Sequence, residues 1–401
     1  MDLNGKNVFA KVDINSSFDE KTGAFRDVEK ILQAVRTIKF AFDNDARSVI
    51  VASHQGDQGK NETLKNHVPI MQLHLPHLKV KFAGVRAGDD VLNMLDENAV
   101  IVLENTRADE EEWNSNDIKQ TKMYKMIKQI PNLVFLKDDP ASHRKELTTY
   151  HIPKTLHEEG FQVFTGPVLQ EDIDLAEKVS KILEETDSFA ILGGKKLPDQ
   201  LEILPQMLKK FPRMRAMLGG LFSVYMERAQ GKNVGDNEKL WKDEDKLLES
   251  AKTMITEFNG RIMLPTDYCI NNGSGFVCAP VKELHTGKVI DIGPDTILKY
   301  METLGSAKNA SVLVNGATGF YEAAPSVNEP GMRGAAHVYS EAFDEKHGHI
   351  VMGFGGDSMA LFNRLGFKPH INSSSGKAFF KRVIYGPYYG LEWLKKQEIK
   401  V

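Results

Sequence analysis

Short apolar runs of strand length recur along this chain, and each ends in a glycine or polar turn followed by a segment of helical period. Asn7 to Asp13 reads as a buried strand that opens into Asp13-Ile14-Asn15. From about Asp27 to Asp43, Val28, Ile31, Leu32, Val35, Ile38 and Phe42 fall on one helical face. Ser48 to Ser53 is the next strand and runs into His54-Gln-Gly-Asp57. A helical segment around Asp89 to Asp96 precedes the strand Ala99 to Glu104 and Asn105-Thr-Arg107. Leu133 to Leu136 then leads toward His143-Arg144. The alternation predicts α/β units with parallel strands.

The second half repeats the pattern with glycine in the turns. Phe189 to Leu192 meets Gly193-Gly194, two lysines and Leu197-Pro198-Asp199, which can open a helix. Arg215 to Leu218 meets Gly219-Gly220, and Arg261 to Leu264 ends at Pro265-Thr-Asp267. Ser311 to Val314 ends at Asn315-Gly, and His349 to Met352 at Gly353-Phe-Gly-Gly-Asp-Ser358. Between the halves lies an amphipathic segment, Asp172 to Glu185, with Leu175, Val179, Ile182 and Leu183 on one face. A chain of 401 residues exceeds one core of ordinary size. The expected architecture is two doubly wound, Rossmann-like parallel-sheet domains joined by a long hinge helix. Residues 1–168 form the first, 169–188 the connection and 189–384 the second.

Hydrophobic residues at 41% and charged residues at 26% describe a globular protein with ample core. A net charge of −4, with no basic run interleaved with aromatics, argues against nucleic acid. No signal-like N-terminus or uninterrupted apolar span is present, so the expectation is a cytoplasmic protein with no membrane partner. Cys269 and Cys278 are too few for a disulfide framework, which suits a reducing compartment. His67, His74 and His77 lie in an apolar, proline-containing segment without a carboxylate or cysteine at ligand spacing, which weighs against a metal site.

Chemistry is expected where polar residues follow strands, because ligands of open parallel sheets bind at that edge. Asp13, Asn15, His54, Arg107 and Arg144 share this position in the first half. Arginine offers a planar fork suited to phosphate and carboxylate. In the second half, glycines let backbone N–H groups approach an anion, and helix N-termini add positive potential. Neither a Walker-type G-x-x-x-x-G-K-[ST] nor a full G-x-G-x-x-G after a strand is present, which lowers the NTPase and dehydrogenase readings.

Taken in order, a set of stretches resembles the phosphoglycerate kinase family over nearly the whole length. They are Val12-Asp-Ile-Asn15, Ala52-Ser-His-Gln-Gly56, Leu103-Glu-Asn-Thr-Arg107, His143-Arg144, Ala190-Ile-Leu-Gly-Gly-Lys-Lys196, Leu264-Pro-Thr-Asp267, Asp291-Ile-Gly-Pro294, Val314-Asn-Gly-Ala-Thr-Gly-Phe-Tyr-Glu322 and Gly353 to Ser358. The resemblance implies reversible phosphoryl transfer between ATP or ADP and 3-phosphoglycerate or 1,3-bisphosphoglycerate, with domain closure about the hinge, by a monomer. It implies that Asp13, Asn15, His54, Arg107 and Arg144 bind the phosphorylated acid. It assigns the nucleotide to Gly193, Gly194, Lys196, Asn315, Glu322, Gly355, Gly356, Asp357 and Ser358, with Mg²⁺ on Asp357. Lys30 and Lys196 are the implied catalytic cations. The aromatic tail, about 385–401, is implied to pack on the first domain.

The chain departs from the family pattern at telling positions. Lys30 stands where the family carries an arginine that reaches the transferring group, and lysine lacks the bidentate fork. Family Ser-His-Leu-Gly-Arg is Ser53-His-Gln-Gly-Asp57, which sets a carboxylate close to a phosphate unless Lys60 offsets it or Asp57 faces away. A second family lysine is Gln200, and the late Thr-Gly-Gly-Gly-Ala turn is Ser373-Ser-Ser-Gly-Lys377. Two alternatives therefore stay open at this level: a kinase of the same fold acting on another carboxylate, and a silent nucleotide-binding paralogue.

Overall fold

The structure is a computed structural model that describes all residues except 17–23, 26–27, 60–61, 142–143, 195, 242–244, 284–286, 374 and 395–401. Lys60, His143, Lys195 and Ser374 thus lie outside the described residues. The chain divides into two compact units, residues 1–175 with 385–401, and residues 176–384.

In the first unit six parallel strands form one sheet: β1 (Asn7–Val12), β2 (Ser48–Ala52), β3 (Lys79–Phe82), β4 (Ala99–Val102), β5 (Leu133–Asp138) and β6 (Gln162–Thr165). Their order is β3-β4-β2-β1-β5-β6, so the chain reverses direction across the sheet between β1 and β5. The central strands read as unbroken apolar runs because both faces are covered. Phe9 of β1 packs into one core with Ile50, Ile101 and Phe135, while Val8, Ala10 and Val12 enter the opposite core with Val49, Val51 and Val100. The tail returns to this unit, with Leu391 and Leu394 buried in the core that holds Phe9.

The second unit holds another six-stranded parallel sheet: β7 (Ser188–Leu192), β8 (Met214–Leu218), β9 (Ile262–Met263), β13 (Ser311–Asn315), β14 (Ile350–Phe354) and β15 (Ile371–Ser373), ordered β15-β14-β13-β7-β8-β9. A separate antiparallel sheet, ordered β11-β10-β12, is made by β10 (Asp267–Asn271), β11 (Phe276–Pro280) and β12 (Lys288–Ile292). The helix Pro167–Glu185 is longer at its start than its periodicity suggests, and the division between the units falls inside it. It gives Leu169 and Ile173 to the first unit's core.

Three expectations need correction. The segment Asp89 to Asp96 is helical only over Asp89–Leu92, after a glycine at φ +133°. Strands β3, β6 and β15 were not foreseen, because edge strands are covered on fewer sides and carry mixed residues such as Lys79-Val-Lys-Phe82. The cysteine count also gave no reason to pair Cys269 and Cys278. The antiparallel register sets them opposite each other on β10 and β11, and they form a disulfide.

Because Leu391 fills the first unit's core from the far end of the chain, Leu391→Ala should cost about 2–5 kcal/mol there. Hydrogen exchange is expected to show the loss on strands β1 to β6 and to leave β7 to β15 unchanged.

Candidate functional site

Two sets of candidate residues gather, one in each unit, and each sits where its sheet's strand order reverses, the position at which open α/β sheets bind ligands.

In the first unit the loops after β1, β2 and β4 are tied together by buried amides. Asn105 donates from Nδ2 to the carbonyls of Gln55 and Glu62, both at 2.8 Å, and its Oδ1 accepts from the backbone of Gln55 and Arg107. Asn15 Oδ1 accepts from Gly56 N at 3.0 Å. This places Asp13, with Lys30 Nζ at 2.8 Å from its Oδ2, on the same edge as His54 and Arg107. Burial pushes the Asp13 carboxyl up, but Lys30, His54 and the Asn15 backbone hold it down at about 2. Burial pushes His54 down to about 3, opposed by Asp13 and assisted by Lys11, Arg144 and Lys30. The imidazole is therefore neutral at pH 7, and its buried Nδ1 has no hydrogen-bond partner among the described residues.

Arg107 is buried, donating from Nη1 to Gly56 O at 3.2 Å and from Nη2 to Glu146 Oε1 at 2.9 Å. Arg144 is more exposed, with Nη1 3.8 Å from the same oxygen. Asp57 is exposed. Beneath these groups the sequence reading missed two fully buried lysines, Lys11 on β1 and Lys137 on β5, neighbours in the register. Asp139 contacts both, with Oδ2 3.7 Å from Lys11 Nζ and Oδ1 bonded to Lys137 Nζ. The signal was available: a lysine inside the apolar run Val8-Phe-Ala-Lys-Val12 is unusual unless something holds it.

In the second unit a cavity of about 110 Å³ opens at the ends of β7, β13 and β14. It brings together Gly193, Gly194, Lys196, Asn315, Gly355, Gly356, Asp357 and Ser358. Close backbone approach makes this possible, since a Cβ on Gly193 would stand 1.9 Å from the Ala317 carbonyl oxygen. Ser358 Oγ accepts from Gly316 N at 2.7 Å, which fixes the β13 turn to the helix Gly356–Leu365. That helix, Leu197–Lys210 and Lys377–Tyr385 all present their N-terminal residues at the cavity, a concentration of positive potential suited to phosphates.

Glu322 does not line this cavity. It is exposed on the turn Tyr321–Ala323, which Arg364 ties down through the carbonyls of Tyr321 and Ala324. The loop leading there hangs on Asp291, whose carboxylate accepts from Gly331 N, Gly334 N and Thr318 Oγ1. Lys377 also lines the cavity, paired with Asp199 at 2.9 Å and Glu202 at 2.5 Å. The sequence marks it only as part of an altered turn. Gln200, in place of a lysine, donates to Gly193 O at 3.2 Å.

A family model for phosphoglycerate kinase matches residues 1–383. Among curated relatives, the phosphoglycerate kinase of Thermoplasma acidophilum is 24% identical over 387 residues, covering 93% of this chain and 90% of its own. That of Methanosarcina mazei is 30% identical over 336 residues, covering 80% and 77%. Among solved structures, phosphoglycerate kinase from Pyrococcus horikoshii superposes with a TM-score of 0.80 at 21% identity, covering 99% of this chain and 98% of its own.

Glu112, buried against Thr148 in the first unit, supplies a pH test. Burial pushes its carboxyl up from 4.5 to about 7, against Lys11 and the Thr148 hydrogen bonds. A raised folded-state value means stability is fully present below the unfolded value and is lost as pH rises through 7. Between about pH 5 and about pH 8 the first unit should lose about 2 kcal/mol that Glu112→Gln retains. Urea midpoints of the two proteins across that range check the sign.

Proposed function

The chain belongs to the phosphoglycerate kinase family, and from that premise we propose that it moves a phosphoryl group between ATP or ADP held by the second unit and 3-phosphoglycerate or 1,3-bisphosphoglycerate held by the first. The observation that carries this reading is the cavity where three helix N-termini, Lys196 and Asp357 meet. The match along residues 1–383 favours phosphoglycerate over any other acid.

The acceptor is a carboxylate, already ionised at neutral pH, so no general base is required. The transferring group spreads negative charge over its oxygens, and catalysis rests on positioning and electrostatic stabilisation. Lys196 stands at the nucleotide phosphates, and Lys30, held over Asp13, at the acid. His54, uncharged, offers its unpartnered ring nitrogen to the acid, and Arg107 and Arg144 take its phosphate. Nucleotide phosphates lie against Gly193, Gly194, Gly355 and Gly356, with Asn315 and Ser358 fixing the turns and Glu322 holding the ribose.

Mg²⁺ suits the residues present. Among the described residues no group of three or more His, Cys, Asp or Glu stands ready for a metal, whereas this ion needs only one or two carboxylates when phosphates and water supply the rest. Asp357 would hold it, and when bound it neutralises phosphate charge. No described helix is long and apolar enough to cross a membrane, and a monomer working in the cytoplasm is part of the same reading.

A coupled assay with ATP, Mg²⁺ and 3-phosphoglycerate should show turnover that chelation abolishes. Lys196→Ala should lower kcat by about 10²–10³, the loss typical of a group acting on transition-state charge. Asp57→Arg should lower KM for the acid. Retained Mg·ATP binding with no turnover of 3-phosphoglycerate would overturn the acid assignment.

A further inference from the structure

Arg107 is the most buried cation assigned to the acid, and it is already engaged. Its Nη2 donates to Glu146 Oε1 at 2.9 Å, both side chains being less than a tenth exposed, at 5% and 8%. The Nε on the same edge of the guanidinium is buried and has no hydrogen-bond partner among the described residues. A guanidinium binds a phosphate best through two parallel N–H groups, and here one of the pair is occupied by the protein's own carboxylate while the other is unused.

We propose that Glu146 is a specificity-determining residue of the acid site: its carboxylate holds Arg107 in the free protein, and a phosphate monoester reaches the full Nε/Nη2 edge only by displacing it, whereupon Glu146 takes a proton from solvent. The proposal rests on Arg107 being an acid ligand, as inferred above. It makes the acid site a site of exchange, in which one anion leaves the guanidinium as another arrives.

Electrostatics drives the protonation. Once Arg107 turns to the phosphate, Glu146 is a buried carboxylate next to a dianion, and such a group neutralises in preference to remaining charged. Burial already raises its affinity for a proton, opposed by Lys11, Arg144 and a hydrogen bond from Gln58, and assisted by Asp139. Glu112 interacts with Glu146 by like charge, and this repulsion grows as it ionises. A carboxylate kept on Arg107 discriminates among acids, because only a ligand bearing strong negative charge at that end displaces it.

The test is isothermal calorimetry of 3-phosphoglycerate binding to the full chain, in two buffers of different ionisation heat near pH 8, for the wild type and Glu146→Gln. The wild type should take up a proton on binding. Glu146→Gln, which keeps an oxygen toward Arg107 without the charge, should take up less and bind about tenfold tighter, the scale of a charged hydrogen bond. In steady state the gain should fall on KM for the acid and not on kcat. Both proteins are measured in the Glu112→Gln background, because Glu112 and Glu146 interact by like charge and the titration of Glu112 would otherwise differ between them. Proton uptake in the wild type alone carries the test should Glu146→Gln fold poorly, and its absence overturns the exchange. Equal or weaker binding by a folded Glu146→Gln makes the ion pair merely structural and overturns it as well. Arg107→Gln separates the two levels of inference: if 3-phosphoglycerate binding survives that change, or neither parent binds it while Mg·ATP still binds, the acid-site reading fails and the proposal falls with it.

Discussion

The closeness of β7 and β13 at their carboxyl ends is the constraint on which the second unit's site depends. Gly193 N bonds to Asn315 O at 3.1 Å and Gly194 N to Ala317 O at 3.1 Å, so the two turns are extensions of one ladder. Any side chain at Gly193 would enter the Ala317 carbonyl, and one at Gly316 would come within 2.4 Å of the Gly193 carbonyl. Around these pressed turns the helices Leu197–Lys210, Gly356–Leu365 and Lys377–Tyr385 begin at one small volume. The cavity is a result of strand order, and the backbone of three helix N-termini contributes positive potential to it.

The first unit solves its problem with side chains. Two lysines that face the interior from β1 and β5 share Asp139, and Arg107 shares Glu146. Buried charges of this kind persist only when paired, and breaking a pair by removing one partner is far costlier than never having it. The arrangement keeps cations fixed at the sheet edge, where burial holds His54 neutral with help from Lys11, and Lys30 holds Asp13 ionised.

Legibility follows this division. The central strands announce themselves because parallel strands buried on both faces are continuous apolar runs, and the glycine turns announce themselves because few other residues fit them. Edge strands such as β3, with lysines at two of four positions, carry no such signature. The antiparallel sheet of β10, β11 and β12 was equally silent, since Phe276 and Val277 are half exposed and mimic a loop. At the sites, the candidate ligand-binding residues were readable from position and resemblance. Glu146, which acts on another side chain, was not, because its pairing with Arg107 across 39 residues has no local pattern.

This contrast bears on how such a protein can diverge. A phosphate site made from backbone N–H groups survives replacement of most side chains around it, and the exchange of a lysine for Gln200 leaves the turn geometry supported through Gly193 O. A site made from paired charges is different, because one new carboxylate changes which ligand can enter without altering the fold. Glu146 has the burial and the partner to do this, while exposed Asp57 is screened by solvent. On the proposed exchange, the side chain that governs acid recognition is therefore the one hidden behind Arg107, despite Asp57 being the more conspicuous departure in the sequence.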